Sequence, residues 1–368
     1  RKQKIDVYLE EQGWSVKKGN LLEEVDTLQS EFNKKDYKFF KETYENKEDS
    51  RYADYILLDK NGYPCGVLEA KRTSKDPIVG KKQAKEYAEH IKKQLGKNVF
   101  IFLSNGYEIW FWNYGYENPR IIKSFHSQDS LERINWINEN KKSLSQIPTN
   151  INIVNRPYQL EAVKRVCEEI EKGRRKALIV QATGNGKTRV AMALVDKFRK
   201  ANFVRKVLFL ADRTALCNQA MTKGFKEYLP EESKTKIYSG NVDKNKQLYV
   251  STIQTFMECY QDFSPGDFDL IISDEAHRSI YNKWKDVFTY FDAIQIGLTA
   301  TPADILERDT FRFFECEDKI PTSLYTYEQA VKEWYLVDFK VQSSSTHFQV
   351  EGIKPTDISE QIKDKLAE

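Results

Sequence analysis

The chain has 368 residues, 40% of them hydrophobic and 31% charged, with a formal net charge of +3 and a pI near 8.3. That excludes a polyelectrolyte and leaves room for two or three domains at the usual ~150 residues each, while the overall charge neither demands nor forbids a nucleic-acid partner. Cys65, Cys167, Cys217, Cys259 and Cys316 form no CxxC pair and the four histidines show no zinc spacing, so reduced thiols in a cytoplasmic setting are expected rather than a disulfide or zinc framework. The most apolar stretch, Val99–Trp112, is broken by Ser104-Asn105-Gly106 and carries Glu108, so no membrane span is expected, and no signal-peptide pattern is visible. The chain opens at Arg1 rather than Met, which is expected of a sequence whose true N-terminus lies upstream.

The opening segment places Ile5, Leu9 and Trp14 at helical spacing and breaks near Gly13. Two strand-like runs follow, Ala53–Leu58 and Cys65–Lys71, separated by Asp59-Lys60-Asn61-Gly62, and Asn-Gly between apolar runs is a strong hairpin signal. A turn centred on Asn61 and Gly62 sets Asp54 directly across from Glu69, and Lys71 joins their face two residues on. Opposed carboxylates destabilise a sheet unless something neutralises them. Magnesium held by both would do so and would activate a water, with Lys71 orienting that water or stabilising the developing charge. The plainer alternative is an exposed hairpin face with a Glu–Lys pair.

Asp54, Glu69-Ala70-Lys71, and Gln83 with Tyr87 one helical turn apart resemble the PD-(D/E)xK nuclease core with its QxxxY extension. The resemblance implies metal ligation at Asp54, Glu69 and Ala70, catalytic roles for Asp54, Glu69 and Lys71, and phosphate contacts from Gln83 and Tyr87. Ala53 stands where the motif has Pro. An upstream acid often completes such sites, and Glu10, Glu11, Glu23 and Glu24 are all candidates. Strands are then expected at Asn98–Leu103, Tyr107–Asn113 and Arg120–Phe125. Their aromatics, Phe100, Phe102, Tyr107, Trp110, Phe111 and Trp112, are read as core. A helix over about 130–142 leads to a linker at Gln146-Ile147-Pro148-Thr149-Asn150.

Beyond the linker, strands and helices alternate, the rhythm of a parallel sheet with crossover helices. Strands are expected from Lys176, Lys206, Leu248, Phe268 and Ala293, with helices from Thr188 and Thr214. Lys176–Thr188, KALIVQATGNGKT, reads as a buried strand entering a phosphate-binding loop: Thr183, Gly184, Asn185 and Gly186 cradle the anion, Lys187 reaches the β- and γ-phosphates, and Thr188 meets magnesium. Gln181 stands where the general motif has its first Gly. Gln159, in Asn155-Arg156-Pro157-Tyr158-Gln159, sits where superfamily-two helicases place a glutamine against adenine, which favours ATP over GTP.

The strand FDLIIS delivers Asp274-Glu275-Ala276-His277 at its carboxyl end, where open α/β sheets bind ligands. Asp274 is the magnesium residue, Glu275 the candidate general base for the water that attacks the γ-phosphate, and His277 a coupling residue. Thr299 and Thr301 in GLTATP resemble the motif that couples hydrolysis to movement. Arg213, Ser251 and Thr252 match backbone-contact positions, although Ser251 and Thr252 fit helix capping equally well.

The order of nuclease core, DEAH motor and Ala330–Asp338 (AVKEWYLVD) resembles the R subunit of type I restriction enzymes across nearly the whole chain. Glu333-Trp334 departs from the commoner form of the last segment, which has Asp-Gly or a similar pair. The expected fold is α/β. It comprises a nuclease domain with a mixed sheet and flanking helices over 1–148, a RecA-like parallel-sheet domain over 149–305, and the truncated start of a second motor lobe over 306–368. The resemblance implies an ATP- and Mg2+-dependent translocase and endonuclease for double-stranded DNA, docked on methylation and specificity subunits. With no arginine-bearing second lobe, the chain alone is expected to hydrolyse ATP slowly or not at all. Two competing readings are a repair or single-chain restriction nuclease fused to a helicase motor, and an ATP-gated DNA-binding module with an inert nuclease.

Overall fold

In the computed structural model, the described residues are 2–27, 52–71, 76–238, 242–276, 284–301, 306 and 308–338. The described residues fall into two units, one up to Tyr327 and the other from Glu328. The first unit holds two sheets.

The first sheet has six strands in chain order: β1 (Leu21–Asp26), β2 (Tyr52–Leu58), β3 (Pro64–Ala70), β4 (Phe100–Ser104), β5 (Ile109–Trp112) and β6 (Arg120–Ile122). Every pairing is antiparallel except β3 with β4, which are parallel. A parallel pair needs a crossover, and helix α2 (Lys81–Leu95) provides it. Its apolar stripe, Ala84, Tyr87, Ala88 and Ile91, packs with Ile56, Val67, Ile101 and Leu103 on one face of the sheet. The other face carries Tyr55, Leu57, Leu68 and Phe102 and is covered by Ile5 and Leu9 of α1 (Lys2–Glu11) and Leu131 of α3 (Gln128–Asn140). The mixed sheet flanked by helices is therefore present as expected. Most of the aromatics are core, but Tyr107 is 69% exposed beneath the Lys4 ammonium.

The hairpin reaches the expected register by a different route. Gly62 takes φ 83°, whereas Asn61 is not among the residues at positive φ, and the amide of Gly62 donates to the carbonyl of Asp59 at 2.9 Å. This is a type I turn followed by a left-handed glycine, not a two-residue turn with both residues at positive φ. Taken alone, that longer loop would face Asp54 with Leu68. A bulge offsets it: Leu57 pairs with Gly66 but Leu58 with Pro64, leaving Cys65 as the extra residue. Beyond it, Ile56 pairs with Val67 and Tyr55 with Leu68, which brings Asp54 level with Glu69.

The second sheet is wholly parallel, in the order β13-β7-β12-β11-β8-β10-β9. The strands are β7 (Lys176–Gln181), β8 (Val207–Ala211), β9 (Lys234–Lys236), β10 (Leu248–Thr252), β11 (Leu270–Asp274), β12 (Ile294–Thr299) and β13 (Ser323–Tyr325). In β7, Ala177 and Ile179 join the core beneath α4 (Pro157–Glu171) and α5 (Lys187–Lys200), while Leu178 and Val180 join the core on the opposite face. Double-sided burial is why this strand reads as an uninterrupted apolar run.

Two expected boundaries need correction. Leu144, before the linker, and Ile153 and Val154, after it, are fully buried in the motor core, so the connection is packed rather than loose. The boundary after 305 cuts through the motor domain: Leu306, Phe311, Phe313 and Phe314 belong to its core, and β13 hydrogen-bonds to β7. Phe314 lies against Gly297 so closely that a Cβ there would fall 2.4 Å from its Cζ. A strand edge beside β7 and apolar surface on Gly297 and Ala276 would otherwise face water.

The two sheets interlock through polar groups. Arg120 of β6 binds Asp292, just before β12, and Arg133 of α3 binds Asp269, just before β11, at 3.0 Å. Asp269 also accepts the backbone amides of Arg205 and Lys206 at 2.8 Å. Ser130 reaches Asp267 at 3.0 Å, and at Gly266 a Cβ would meet the His126 ring at 2.7 Å, which makes glycine the residue that fits.

Candidate active sites

At the carboxyl end of β3, Asp54, Glu69 and Lys71 lie on the face that α2 covers. Asp54 Oδ2 accepts the backbone N–H of Ala70 at 2.6 Å, which ties the two strands together. The Lys71 ammonium donates to Glu69 Oε1 at 2.6 Å and to Gln83 Oε1 at 2.8 Å, and Gln83 in turn donates to the Tyr87 hydroxyl. The Glu69 side chain is only 6% exposed. Burial, then the charge of Glu69, pushes the Tyr87 phenol up, so it is a neutral donor at physiological pH. Glu69, Lys71, Gln83 and Tyr87 are thus joined in one hydrogen-bonded chain, and Asp54 is tied to the same strand end through the Ala70 amide. Asp54, Glu69 and the backbone of Ala70 offer hard oxygen donors, which suits magnesium rather than zinc, and Lys71 supplies the compensating charge.

Among the upstream acids, register selects by position. Glu23 pairs with Tyr55 and Val25 with Ala53, so Glu24, at φ 52°, stands level with Asp54. Glu10 and Glu11 end α1, whose apolar residues pack on the opposite face of the sheet.

The phosphate loop follows β7. Gly184 and Gly186 take φ 86° and 83°, and α5 starts at Lys187. Thr183 and Gly184 are exposed, Thr188 is half-buried, and Asn185 is fully buried. Three side chains converge on the Asn185 carbonyl: Gln181 Nε2 at 2.6 Å, Gln159 Nε2 at 2.9 Å and the Tyr158 hydroxyl at 3.2 Å. Gln181, the departure from the general motif, therefore has a structural task, holding the loop by its amide. Gln159 is likewise committed to the loop through its nitrogen, while its Oε1 has no hydrogen-bond partner among the described residues. The Tyr158 ring stacks on Tyr325 at 3.9 Å, and the Tyr325 carbonyl accepts the Ala182 amide. Tyr158 stands within the Asn155–Gln159 stretch, but its bond to the loop and its stacking on Tyr325 have no signal in the sequence.

Asp274 and Glu275 reach this loop from the end of β11. Burial lowers the Lys187 pKa, and the charges of Glu275 and Asp274 oppose that shift, which places the three groups within electrostatic reach. Asp274 is pushed up to about 6, by burial first and then by Glu275, against the pull of Lys187. Glu275 itself sits at φ 53°, a left-handed conformation uncommon for Glu, of the kind that clusters at functional sites. His277 lies outside the described residues.

The candidate DNA contacts divide. Arg213 is 72% exposed beside Asp212 and free to meet a ligand from solvent. Ser251 is 1% exposed inside β10, so in this conformation it does not present its hydroxyl to a phosphate. Thr252 caps the short helix α6 (Ile253–Met257) by accepting the Thr255 amide at 3.2 Å, the capping alternative. Thr299 is buried and its hydroxyl accepts the Thr301 amide at 3.1 Å, so the two threonines form one turn at the end of β12.

No helix among the described residues is long and apolar enough to cross a membrane. Residues 1–120 match the family profile described as the type I restriction enzyme R protein N terminus, and residues 152–304 match the one described as the type III restriction enzyme res subunit. The EcoAI type I restriction enzyme endonuclease subunit of Escherichia coli is 27% identical over 327 residues, covering 83% of this chain and 39% of that protein. The EcoKI endonuclease subunit of E. coli K12 is 30% identical over 220 residues, covering 50% of this chain and 17% of the relative. A solved fragment assigned to the HsdR subunit of a type I restriction enzyme from Vibrio vulnificus YJ016 is 29% identical over 89% of this chain and 58% of that one, with a TM-score of 0.38. The chain thus spans well under half the length of the curated relatives it matches. It carries, in order, a region matching the type I restriction enzyme R protein N terminus and a region matching the type III res subunit, and over most of its length it is similar to type I restriction enzyme endonuclease subunits.

Proposed function

We propose that this chain is the nuclease and first-motor-lobe portion of an ATP-driven double-stranded DNA translocase that cuts DNA away from the recognition site. It acts in the cytoplasm in complex with methylation and specificity subunits. The observation that carries the reading is the cluster of Asp54, Glu69, Lys71, Gln83 and Tyr87 in one compact unit with a phosphate loop facing Asp274 and Glu275.

At the nuclease centre, Asp54 and Glu69 with the Ala70 carbonyl would hold Mg2+, which would supply Lewis-acid activation of a phosphodiester and a water when bound. Lys71, fixed between Glu69 and Gln83, is placed to orient the attacking water and to balance charge as it grows on the phosphate. Gln83 and Tyr87 present an amide and a neutral phenol, donors suited to the neighbouring phosphate. At the motor, Lys187 leaves the Gln181 carbonyl, 3.3 Å away, to bind the β- and γ-phosphates of ATP. Thr188 and Asp274 would hold its Mg2+, and Glu275 takes the proton of the attacking water.

In the full-length subunit assembled with its partners, Asp54→Ala is expected to abolish DNA cleavage and spare ATP hydrolysis. Cleavage that persists would sink the nuclease assignment. Lys187→Ala is expected to remove ATP hydrolysis and with it all translocation-dependent cutting; surviving ATPase would refute the motor reading.

A further inference from the structure

Gly80 precedes α2, at the end of the short turn Pro77–Gly80. Its φ of −76° and ψ of −4° are open to any residue, so backbone freedom does not explain a glycine there. Helix capping does not explain it either: Ser, Asn or Asp would cap α2 better, and no side chain caps it. Its surroundings do. A Cβ at Gly80 would lie 2.9 Å from Glu69 Cγ, 2.9 Å from Lys71 Cε and 3.6 Å from Lys71 Cγ.

The turn that carries Gly80 is stiff. Asp76 caps it by accepting the Ile78 amide at 2.9 Å, and Pro77 is buried. On the far side, Lys71 Nζ is held by Glu69 at 2.6 Å and Gln83 at 2.8 Å, so the lysine cannot swing aside without breaking both bonds. Glu69 is 6% exposed and is itself bound to the Lys71 ammonium. We propose that Gly80 is a positioning residue of the nuclease centre, whose bare backbone sets where the Glu69 carboxylate and the Lys71 ammonium stand. This rests on the nuclease reading of that site.

The test compares Gly80→Ala with the parent in the full-length, assembled protein, reading DNA cleavage, ATP hydrolysis and Mn2+ affinity by calorimetry. A displacement of several tenths of an ångström at reacting groups is expected to lower the cleavage kcat about ten- to hundredfold and to weaken Mn2+ binding about tenfold. ATP hydrolysis is expected to stay within about twofold of the parent. Parent-like Mn2+ affinity and cleavage in Gly80→Ala would overturn the proposal.

Should Gly80→Ala lower the melting temperature, the Lys71→Ala background decides. There the methyl group has room on one side, so Gly80→Ala should cost less Mn2+ affinity than it does beside Lys71. An equal fractional loss in both backgrounds would show that contact with Lys71 is not the route. Persistent cleavage by Asp54→Ala would instead remove the nuclease reading itself, an outcome distinct from either result at Gly80.

Discussion

Arg120 grips Asp292 across 172 residues of chain, donating from Nε at 2.6 Å and Nη2 at 2.8 Å. Arg175 and the His126 ring complete the shell around this carboxylate, which is 5% exposed. Burial alone would push Asp292 up, but Arg120 and Arg175 overcome it and hold the carboxyl well below its usual range. Arg120→Met should therefore strand a buried charge and destabilise the chain by about 3 kcal/mol in denaturant unfolding. Because the folded pKa is depressed, the pair's contribution is complete at neutral pH and disappears only as acid titrates Asp292 through that depressed value. A loss under about 0.5 kcal/mol would show that Arg175 and His126 suffice without Arg120.

Gly186 combines φ 83° with a Cβ position 2.7 Å from Gln159 Nε2. Gly186→Ala meets both penalties, roughly 1 kcal/mol for the left-handed backbone and the displacement of Gln159 from the Asn185 carbonyl. ATP affinity, followed with a fluorescent analogue, should fall at least about tenfold while the melting temperature moves by only a few degrees.

The Asp274 carboxyl, pushed up to about 6, gives the motor a pH dependence of definite sign. Below pH 6 it is protonated and a poor magnesium ligand, so Mg-ATP affinity should drop by up to about tenfold per unit below that value. For folding the sign is opposite to that of a paired carboxylate. The buried charge opposes folding above pH 6, and that penalty vanishes below the ordinary carboxylate range. Asp274→Asn should accordingly raise stability at pH 7.5 by on the order of 2 kcal/mol while removing ATP hydrolysis. Unchanged stability at pH 7.5 would mean that Lys187 neutralises the carboxylate fully.

Cys65 is the extra residue of the bulge beyond which Asp54 stands level with Glu69. Burial pushes its thiol up, so it is an inert group whose place in the register matters more than its chemistry. Cys65→Ala should keep cleavage, and so should deletion of Cys65, which removes the bulge with its extra residue and leaves Leu57 across from Gly66 and Asp54 level with Glu69. Insertion of one alanine after Cys65 should instead abolish cleavage, because it slips the register and turns Asp54 towards Leu68. Full cleavage by the insertion variant, with an unchanged circular dichroism spectrum, would refute the need for this register.

The features legible along the chain are local ones. Gly184, Gly186, Lys187 and Thr188 form a loop because neighbouring backbone dihedrals and a helix start shape it. The apolar runs of β7 and β11 announce strands covered on both faces. Asp54 and Glu69 could be paired by counting from one turn, although the turn is of another type and a bulge restores the register.

The remaining features arise when distant segments pack together. Gly80 looks like any loop glycine until α2 is laid over β3 and the space a Cβ would need there is taken by Glu69 and Lys71. Ser251 reads as a polar contact residue until the sheet buries it. The stretch 306–325 reads as a new lobe until β13 returns to the edge beside β7. Arg120 and Asp292 are anonymous charges until two sheets meet. In each case the deciding energy is the burial or pairing of groups far apart in the chain, to which spacing along the sequence is blind.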